Sequence, residues 1–276
     1  VRLYTDYALM TADPEIGADA AQVFNCLSMG EVVEDSRCLM VAPACLRAKV
    51  MALIDQEIGQ AKQGNPAYLG FKLNGLTDKL LIDKLIEASQ AGVQIDLIVR
   101  GICCLVGGIP GVTGCISVSS IVGRYLEHAR VYIFGQAERE QVYISSADFM
   151  TRNTTRRVEV AAPVRDPRLR AQLAGMFRDQ LRDAAKRRLQ LPSGEYVHVE
   201  GEPFNAQEEF CAQAGSGAWA LPGLREEKQT PPPVPKSPAP PRQPPLKPKA
   251  PPAKKLPAVR VQTPRAGLLG RIFKRD

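Results

Sequence analysis

The chain has 276 residues, 45% of them hydrophobic and 24% charged, a composition that excludes a fibrous or wholly low-complexity polypeptide and leaves room for one large or two small domains. Its formal charge of +7 is unevenly placed: from Pro222 onward 13 Lys and Arg face 3 Asp and Glu, which leaves the body before it at about −3 and assigns the basicity to the tail. No apolar run approaches the roughly 18 residues that cross a bilayer, and VRLYTDYALM lacks the charged-then-apolar layout of a signal peptide, so a cytoplasmic chain is expected.

Asp13-Pro14 opens the first predicted helix, the aspartate as N-cap and the proline at the first helical position. Ile16, Ala20, Val23 and Leu27 then fall on one face. Cys38 to Pro43 reads as a short buried strand, and Leu46, Val50, Leu53, Ile54 and Ile58 trace a helix that ends near Gly64. Tyr68 to Asn74 is strand-like. Thr77 is expected to cap the helix through LTDKLLIDKLIEASQAG, with Gly92 in the left-handed closing conformation. Ile95 to Val99 follows as a buried strand, which places Arg100 and Gly101 at its carboxyl end.

Strand, helix, strand, helix, strand at this spacing predicts an α/β fold, a mixed or parallel sheet with helices packed on its faces. Ligands bind at the carboxyl edge of such sheets, which makes Arg100 a candidate site residue. Gly107-Gly108 with Gly111 lacks the spacing of a phosphate-binding Walker loop and reads as plain loop. Strands are predicted around Ser117 to Val122, Val131 to Phe134, Val142 to Ser145 and Arg157 to Ala161. His128 immediately precedes the alternating run Ala129 to Phe134 and is a second candidate.

Ser145, Ser146, Asp148, Arg152 and Asn153 cluster after a strand, where hydroxyls and turn amides suit phosphate; an ordinary turn is the plain alternative. Asp166-Pro167 repeats the helix start, and the helix through Leu173, Phe177 and Leu181 is expected to carry a basic face of Arg168, Arg170, Arg178, Arg182, Lys186, Arg187 and Arg188. Such a face is usually just solvated, although it can also steer a polyanion. LQLPSGEYVHVEG predicts a hairpin turning at Ser193-Gly194. Residues 201–221 are expected to form a short helix or connector.

From Pro222 to Pro264 prolines alternate with Lys and Arg and aromatic residues are absent. Such a segment buries too little apolar area to offset its ordering entropy and is expected to be a disordered Pro/Lys-rich linker. It ends in RAGLLGRIFKRD (265–276), where Leu268, Leu269, Ile272 and Phe273 share an apolar face among cations. The seven cysteines, odd in number and without CxxC spacing, suit a reducing compartment, and neither zinc nor a redox role for Cys103-Cys104 is expected.

Four stretches carry a resemblance. YTDYALMTADPEI (Tyr4 to Ile16), DLIVRGICCL (Asp96 to Leu105), SIVGRYLEHARVYIF (Ser120 to Phe134) and YISSADFMTRNTTRRVEVAAPV (Tyr143 to Val164) together resemble the carboxyl-terminal catalytic region of the polyphosphate kinases that work through a phosphohistidine. The similarity runs in order from Val1 to about Val199. It implies a phospholipase D-like fold, in which HARVYIF and ISSAD stand as modified His-x-Lys and Gly-Ser-x-Asn signatures, with Arg130 at the lysine place. Residues 1–30 would then close the preceding catalytic domain and 31–200 form the terminal one.

The resemblance further implies ATP contacts for three residues. Tyr4 is expected beside the base or sugar, Arg100 on a phosphate and His128 in the transfer pocket, with Arg130, Ser145, Ser146, Arg152 and Asn153 as secondary phosphate contacts. In the family the histidine that accepts the phosphoryl group lies upstream of the YTD motif, before Val1, as do the arginines that hold Mg2+; no metal ligand and no nucleophile are therefore expected here. A fragment, a separately encoded half and a degenerate remnant all fit that pattern. The implied partners are ATP and ADP, inorganic polyphosphate, the missing amino-terminal domains and a second copy of the enzyme; the basic tail adds an anionic membrane surface or nucleic acid. Two other functions stand beside the kinase: a phospholipase D-like phosphodiesterase, disfavoured by Arg130 in place of lysine, and a non-catalytic polyanion-binding module.

Overall fold

A computed structural model describes residues 3–216, all within one compact unit. The expectations for the Pro/Lys-rich linker and the closing dodecapeptide lie outside the described residues. In chain order the elements are β1 (Tyr4–Thr5), α1 (Pro14–Ser28), β2 (Met40–Ala42), α2 (Leu46–Lys62), β3 (Tyr68–Leu73), α3 (Lys79–Gln90) and β4 (Gln94–Val99). Then come β5 (Ile116–Ile121), β6 (Leu126–Glu127), β7 (Arg130–Phe134), β8 (Gln141–Ser145), α4 (Thr151–Thr155) and β9 (Glu159–Pro163). The last four are α5 (Pro167–Arg182), β10 (Arg187–Gln190), β11 (Tyr196–His198) and α6 (Ala206–Ser216).

Nine strands form one sheet in the order β11-β10-β5-β4-β3-β7-β8-β9-β2. The central strands β3, β4 and β5 are parallel, joined by crossovers, and the flanking ladders are antiparallel. This is the mixed α/β sheet that the pattern of elements predicts. Strand alternation sorts the side chains into two layers. Ile95, Leu97 and Val99 of β4 and Tyr132 and Phe134 of β7 pack with Leu46, Val50 and Ile54 of α2 and Leu81 and Leu85 of α3. Ile98, Val131 and Ile133 point the other way, onto Ala174 and Phe177 of α5.

Local signals fix most boundaries. Asp13 accepts from the amides of Glu15 and Ile16, and Asp166 from those of Arg168 and Leu169, so both Asp-Pro starts form as expected. Gly92 and Gly194 adopt φ of 94° and 87°, closing α3 and turning the β10–β11 hairpin. Two expectations need correcting. Asp78, not Thr77, caps α3, accepting from Leu80 and Leu81, while the Thr77 amide is taken by the carbonyl of Phe149. The basic helix face is also shorter than expected. α5 ends at Arg182, Asp183 turns the chain by accepting from the amides of Ala185 and Lys186, and Arg187 and Arg188 belong to strand β10.

The strap from α1 to β2 depends on one carboxylate. Asp19, 3% exposed, accepts from the amides of Arg37, Cys38 and Leu39 at 3.1, 2.6 and 2.9 Å. Burial opposes its charge, but the three amides, with Lys49 nearby, outweigh burial and hold the carboxyl below its ordinary range. A depressed carboxyl contributes stability above its unfolded pKa of about 3.9 and loses it as pH falls through the folded value. Asp19→Ala is expected to cost on the order of 3 kcal/mol at neutral pH, since three amides lose a charged acceptor. Urea midpoints of wild type and variant, compared at pH 7 and pH 3, should lie closer together at the lower pH; a constant gap would refute the assignment.

Candidate functional site

Several strand ends meet along one edge of the sheet. β3 and β4 run parallel and end together at Leu73 and Val99, which delivers Asn74 and Arg100 side by side. Antiparallel β7 starts at that edge with Arg130, opposite Ser145 at the end of β8. The two-residue strand β1 pairs in parallel with β6, Tyr4 opposite Leu126 and Thr5 opposite Glu127, and so lays the YTD segment against His128.

His128 is gripped from two sides. The Tyr4 ring meets the imidazole edge-on, 5.0 Å between centroids at 84°. Both Asp6 carboxylate oxygens lie 3.0 Å from Nδ1, and Arg130 Nη1 lies 3.2 Å from Nε2 and 3.5 Å from Nδ1. A carboxylate accepts and a guanidinium donates, so this pairing selects the tautomer with its hydrogen on Nδ1 and its lone pair on Nε2. Arg130 is itself fixed: its Nε and Nη2 donate to the two oxygens of Asp148 at 3.2 and 3.0 Å. That bidentate pair is mostly buried, with 13% and 6% of the two side chains exposed.

Asn74 joins the remaining parts. Its amide nitrogen donates to Asp148 at 2.6 Å, its Nδ2 donates to the His128 carbonyl at 3.0 Å, and its Oδ1 accepts from Arg100 Nε. Tyr4, Arg100 and His128, three residues far apart in sequence, thus share one connected cluster. Asp148, grouped in the sequence with possible phosphate ligands, is instead engaged with Arg130 and Asn74.

A cleft of about 310 Å³ opens in front of this cluster, lined by Asp6, His128, Arg130, Ile144, Ser145 and Ser146. Ser145 Oγ donates to the Val160 carbonyl at 3.2 Å and accepts from the Ala147 amide, and Ser146 Oγ donates to Glu159 at 2.5 Å. Asn153 is buried, donates to Glu159 at 2.6 Å and leaves its Oδ1 without a partner. Arg152 lies exposed on α4, its guanidinium 3.8 Å from the Met150 sulfur. Of the secondary candidates, Arg130, Ser145 and Ser146 line the cleft; Arg152 and Asn153 do not.

Behind the cleft lies a buried ionic pair that sequence reasoning missed. Lys72 Nζ sits 3.1 Å from Glu127 and donates to the Ala129 carbonyl at 2.9 Å, next to His128. Glu127 also accepts from Thr5, Gln180 and Gln207. Burial opposes its ionisation, but the Lys72 ammonium and the Gln207 and Thr5 donors prevail and keep the carboxyl below its ordinary range. Burial likewise pushes the Lys72 ammonium down, against the pull of Glu127.

Guanidinium, imidazole and hydroxyl groups at a sheet edge are the types of group that can hydrogen-bond an anion whose charge is spread over several oxygens. Fold and site define an α/β domain with a mixed sheet and, at its edge, a cleft that carries Asp6, His128 and Arg130. A family model described as polyphosphate kinase C-terminal domain 2 matches residues 39–213, and the chain belongs to that family. It is 46% identical to a polyphosphate kinase of Bacillus anthracis over 198 residues, covering 72% of this chain and 28% of that protein. It is 40% identical to one of Synechocystis sp. over 228 residues, covering 83% and 31%. The crystal structure of polyphosphate kinase from Porphyromonas gingivalis superposes with a TM-score of 0.75 at 38% identity, covering 80% of this chain and 34% of that one. The chain therefore spans under a third of the length of these curated relatives.

Asp6, Asn74, Lys72 and Glu127 complete the set of residues at the site. Asp6 and Glu127 lay inside stretches quoted for the resemblance but drew no role; Lys72 and Asn74 lay outside them.

Proposed function

We propose that this chain forms the nucleotide-handling part of a polyphosphate kinase, which moves the terminal phosphate of ATP onto inorganic polyphosphate and runs in reverse from ADP. In this reading residues 1–30 close one catalytic domain and 31–200 form the next. The phosphoryl-accepting histidine and the arginines that hold Mg2+ come from a further segment of the enzyme, and the protein works in the cytoplasm. One observation carries the reading: Tyr4 through its ring contact and Arg100 through Asn74 are both linked to His128, and His128 lines the cleft.

Phosphoryl transfer asks the protein mainly to position the reacting groups and neutralise the equatorial oxygens. Arg130, preset by Asp148 and with Nη1 against the His128 ring, can offer an N–H not directed at either partner to an oxygen. Arg100 presents its terminal nitrogens while Asn74 holds its Nε. His128 Nε2 faces the same point, and the exposed Tyr4 ring offers a face to base or sugar. No group of three or more His, Cys, Asp or Glu side chains among the described residues can hold a metal ion. None of these steps runs through a metal ion held by this chain alone.

The purified chain should bind ATP, and Arg100→Ala should weaken binding by about one to two orders of magnitude, the worth of a charged hydrogen-bonded contact. ATP-dependent polyphosphate synthesis should appear when the chain is mixed with the amino-terminal portion of the Bacillus anthracis relative. Salt-sensitive polyphosphate binding with no turnover in either condition would favour a binding module instead. Hydrolysis of a phosphodiester by the chain alone would favour a phospholipase D-like enzyme.

A further inference from the structure

We propose that Asn74 is a positioning residue that couples Arg100 to His128 and sets their spacing for a nucleoside triphosphate. The inference rests on the reading of the cluster as an ATP site and concerns a residue to which neither motif nor resemblance assigned a role. The residue has four engagements, each to a different part of the site. Its Oδ1 takes Arg100 Nε, its Nδ2 holds the His128 carbonyl at 3.0 Å, and its backbone amide holds Asp148 at 2.6 Å. Its carbonyl packs so closely on Gly101 that a Cβ there would stand 2.6 Å from the oxygen, which locks the turn after Arg100 against it.

The chemistry leaves one orientation for the side-chain amide. Arg100 Nε only donates and the His128 carbonyl only accepts, so oxygen must face arginine and nitrogen must face histidine. The same Asn74 side chain therefore ties the Arg100 guanidinium to the backbone that carries His128. Two direct consequences follow. Arg100 loses one rotational freedom at Nε while its terminal nitrogens stay available, and the backbone at His128 is drawn toward the end of β3. Asp148, held by the Asn74 amide, passes the same constraint to Arg130 and through its Nη1 to the imidazole. A reduction of the conformations each group must give up on binding is the general source of such preorganisation.

Asn74→Ala removes both side-chain bonds, and Asn74→Asp keeps an acceptor for Arg100 but turns an oxygen toward the His128 carbonyl. Three measurements on the whole chain decide the matter: ATP affinity, the Arg100 Nε–H resonance and the His128 ring resonances in the ligand-free protein. Asn74→Ala should weaken ATP binding about tenfold and move both sets of signals, the loss of two modest hydrogen bonds. The double variant with Arg100→Ala should bind no more than about threefold worse than Arg100→Ala alone, because coupled residues are not additive. Asn74→Asp should keep the Arg100 signal and move only those of His128, a split that simple loss of packing would not produce. Failure of the unaltered chain to bind ATP would overturn the reading of the site. ATP binding that is sensitive to Arg100→Ala yet unchanged by Asn74→Ala, or fully additive losses, would overturn the role of Asn74 alone.

Discussion

Lys72→Ala is expected to destabilise the domain by about 3–5 kcal/mol, the loss typical when one partner of a buried ion pair is removed. Only 2% of the Lys72 side chain and 3% of the Glu127 side chain are exposed. Deleting the ammonium leaves a carboxylate in the interior with Gln180, Gln207 and Thr5 as its remaining donors, and uncharged donors cannot replace a counter-ion there. The double variant Lys72→Met, Glu127→Gln should regain most of that loss, since a neutral pair of similar volume avoids the desolvation penalty of both charges. Urea unfolding of the wild type and the two variants measures this through the midpoint at constant slope.

The pH dependence gives a second check on the same pair. Because Glu127 is held below its ordinary range, its contribution is complete above the unfolded value of about 4.3 and disappears as pH falls through the folded one. The gap between wild type and Lys72→Ala should therefore narrow in acid. A gap under about 1 kcal/mol at pH 7 would mean that the pair is not the internal anchor described here.

The fold was legible wherever a local rule dictates the backbone. Asp13-Pro14 and Asp166-Pro167 announce helices because an aspartate cap and a proline first residue satisfy the same turn. Gly92 and Gly194 mark places where φ must be positive. Tyr68 to Asn74 reads as a strand, and nothing local reveals that its Lys72 is buried against Glu127 of β6. β1 was invisible for a related reason. Two residues have no periodicity, and they pair only because β6 presents a parallel partner. Asp78 and Thr77 are both good caps, and the choice between them is made by the Phe149 carbonyl, which takes the Thr77 amide from another part of the chain.

The site divides along the same line. Arg100 and His128 stand at a strand end and a strand start, positions that the carboxyl-edge rule for α/β sheets favours. Asn74 stands at a strand end too, but an uncharged amide there gives no sign of its partners. Its role appears only when β3 and β4 are paired and β7 is laid beside them. Arg187 and Arg188 show the opposite error: a run of cations after α5 looks helical until Asp183 takes the amides of Ala185 and Lys186.

Asp6→Asn is expected to lower phosphoryl transfer in the reconstituted enzyme by about a hundredfold while leaving the fold intact. Removing the carboxylate that fixes a catalytic imidazole costs about ten-thousandfold in a fully buried serine-protease triad. Here 56% of the Asp6 side chain is exposed, so water can partly replace it and the loss is smaller. The mechanism is tautomeric. In a neutral ring the Asp6 carboxylate, an acceptor, favours the hydrogen on Nδ1 and the lone pair on Nε2, the nitrogen nearer Arg130 Nη1. The asparagine amide can turn an N–H toward Nδ1 and stabilise the other tautomer, whose Nε2–H then opposes the Arg130 donor. Nitrogen-15 shifts of the His128 ring in the ligand-free chain should show the exchange of the two ring nitrogens directly, with the melting temperature within a few degrees of wild type. An unaltered Nδ1–H signal, together with transfer within about threefold of wild type, would mean that Asp6 is only a bystander on the surface and that Arg130 alone orients the imidazole.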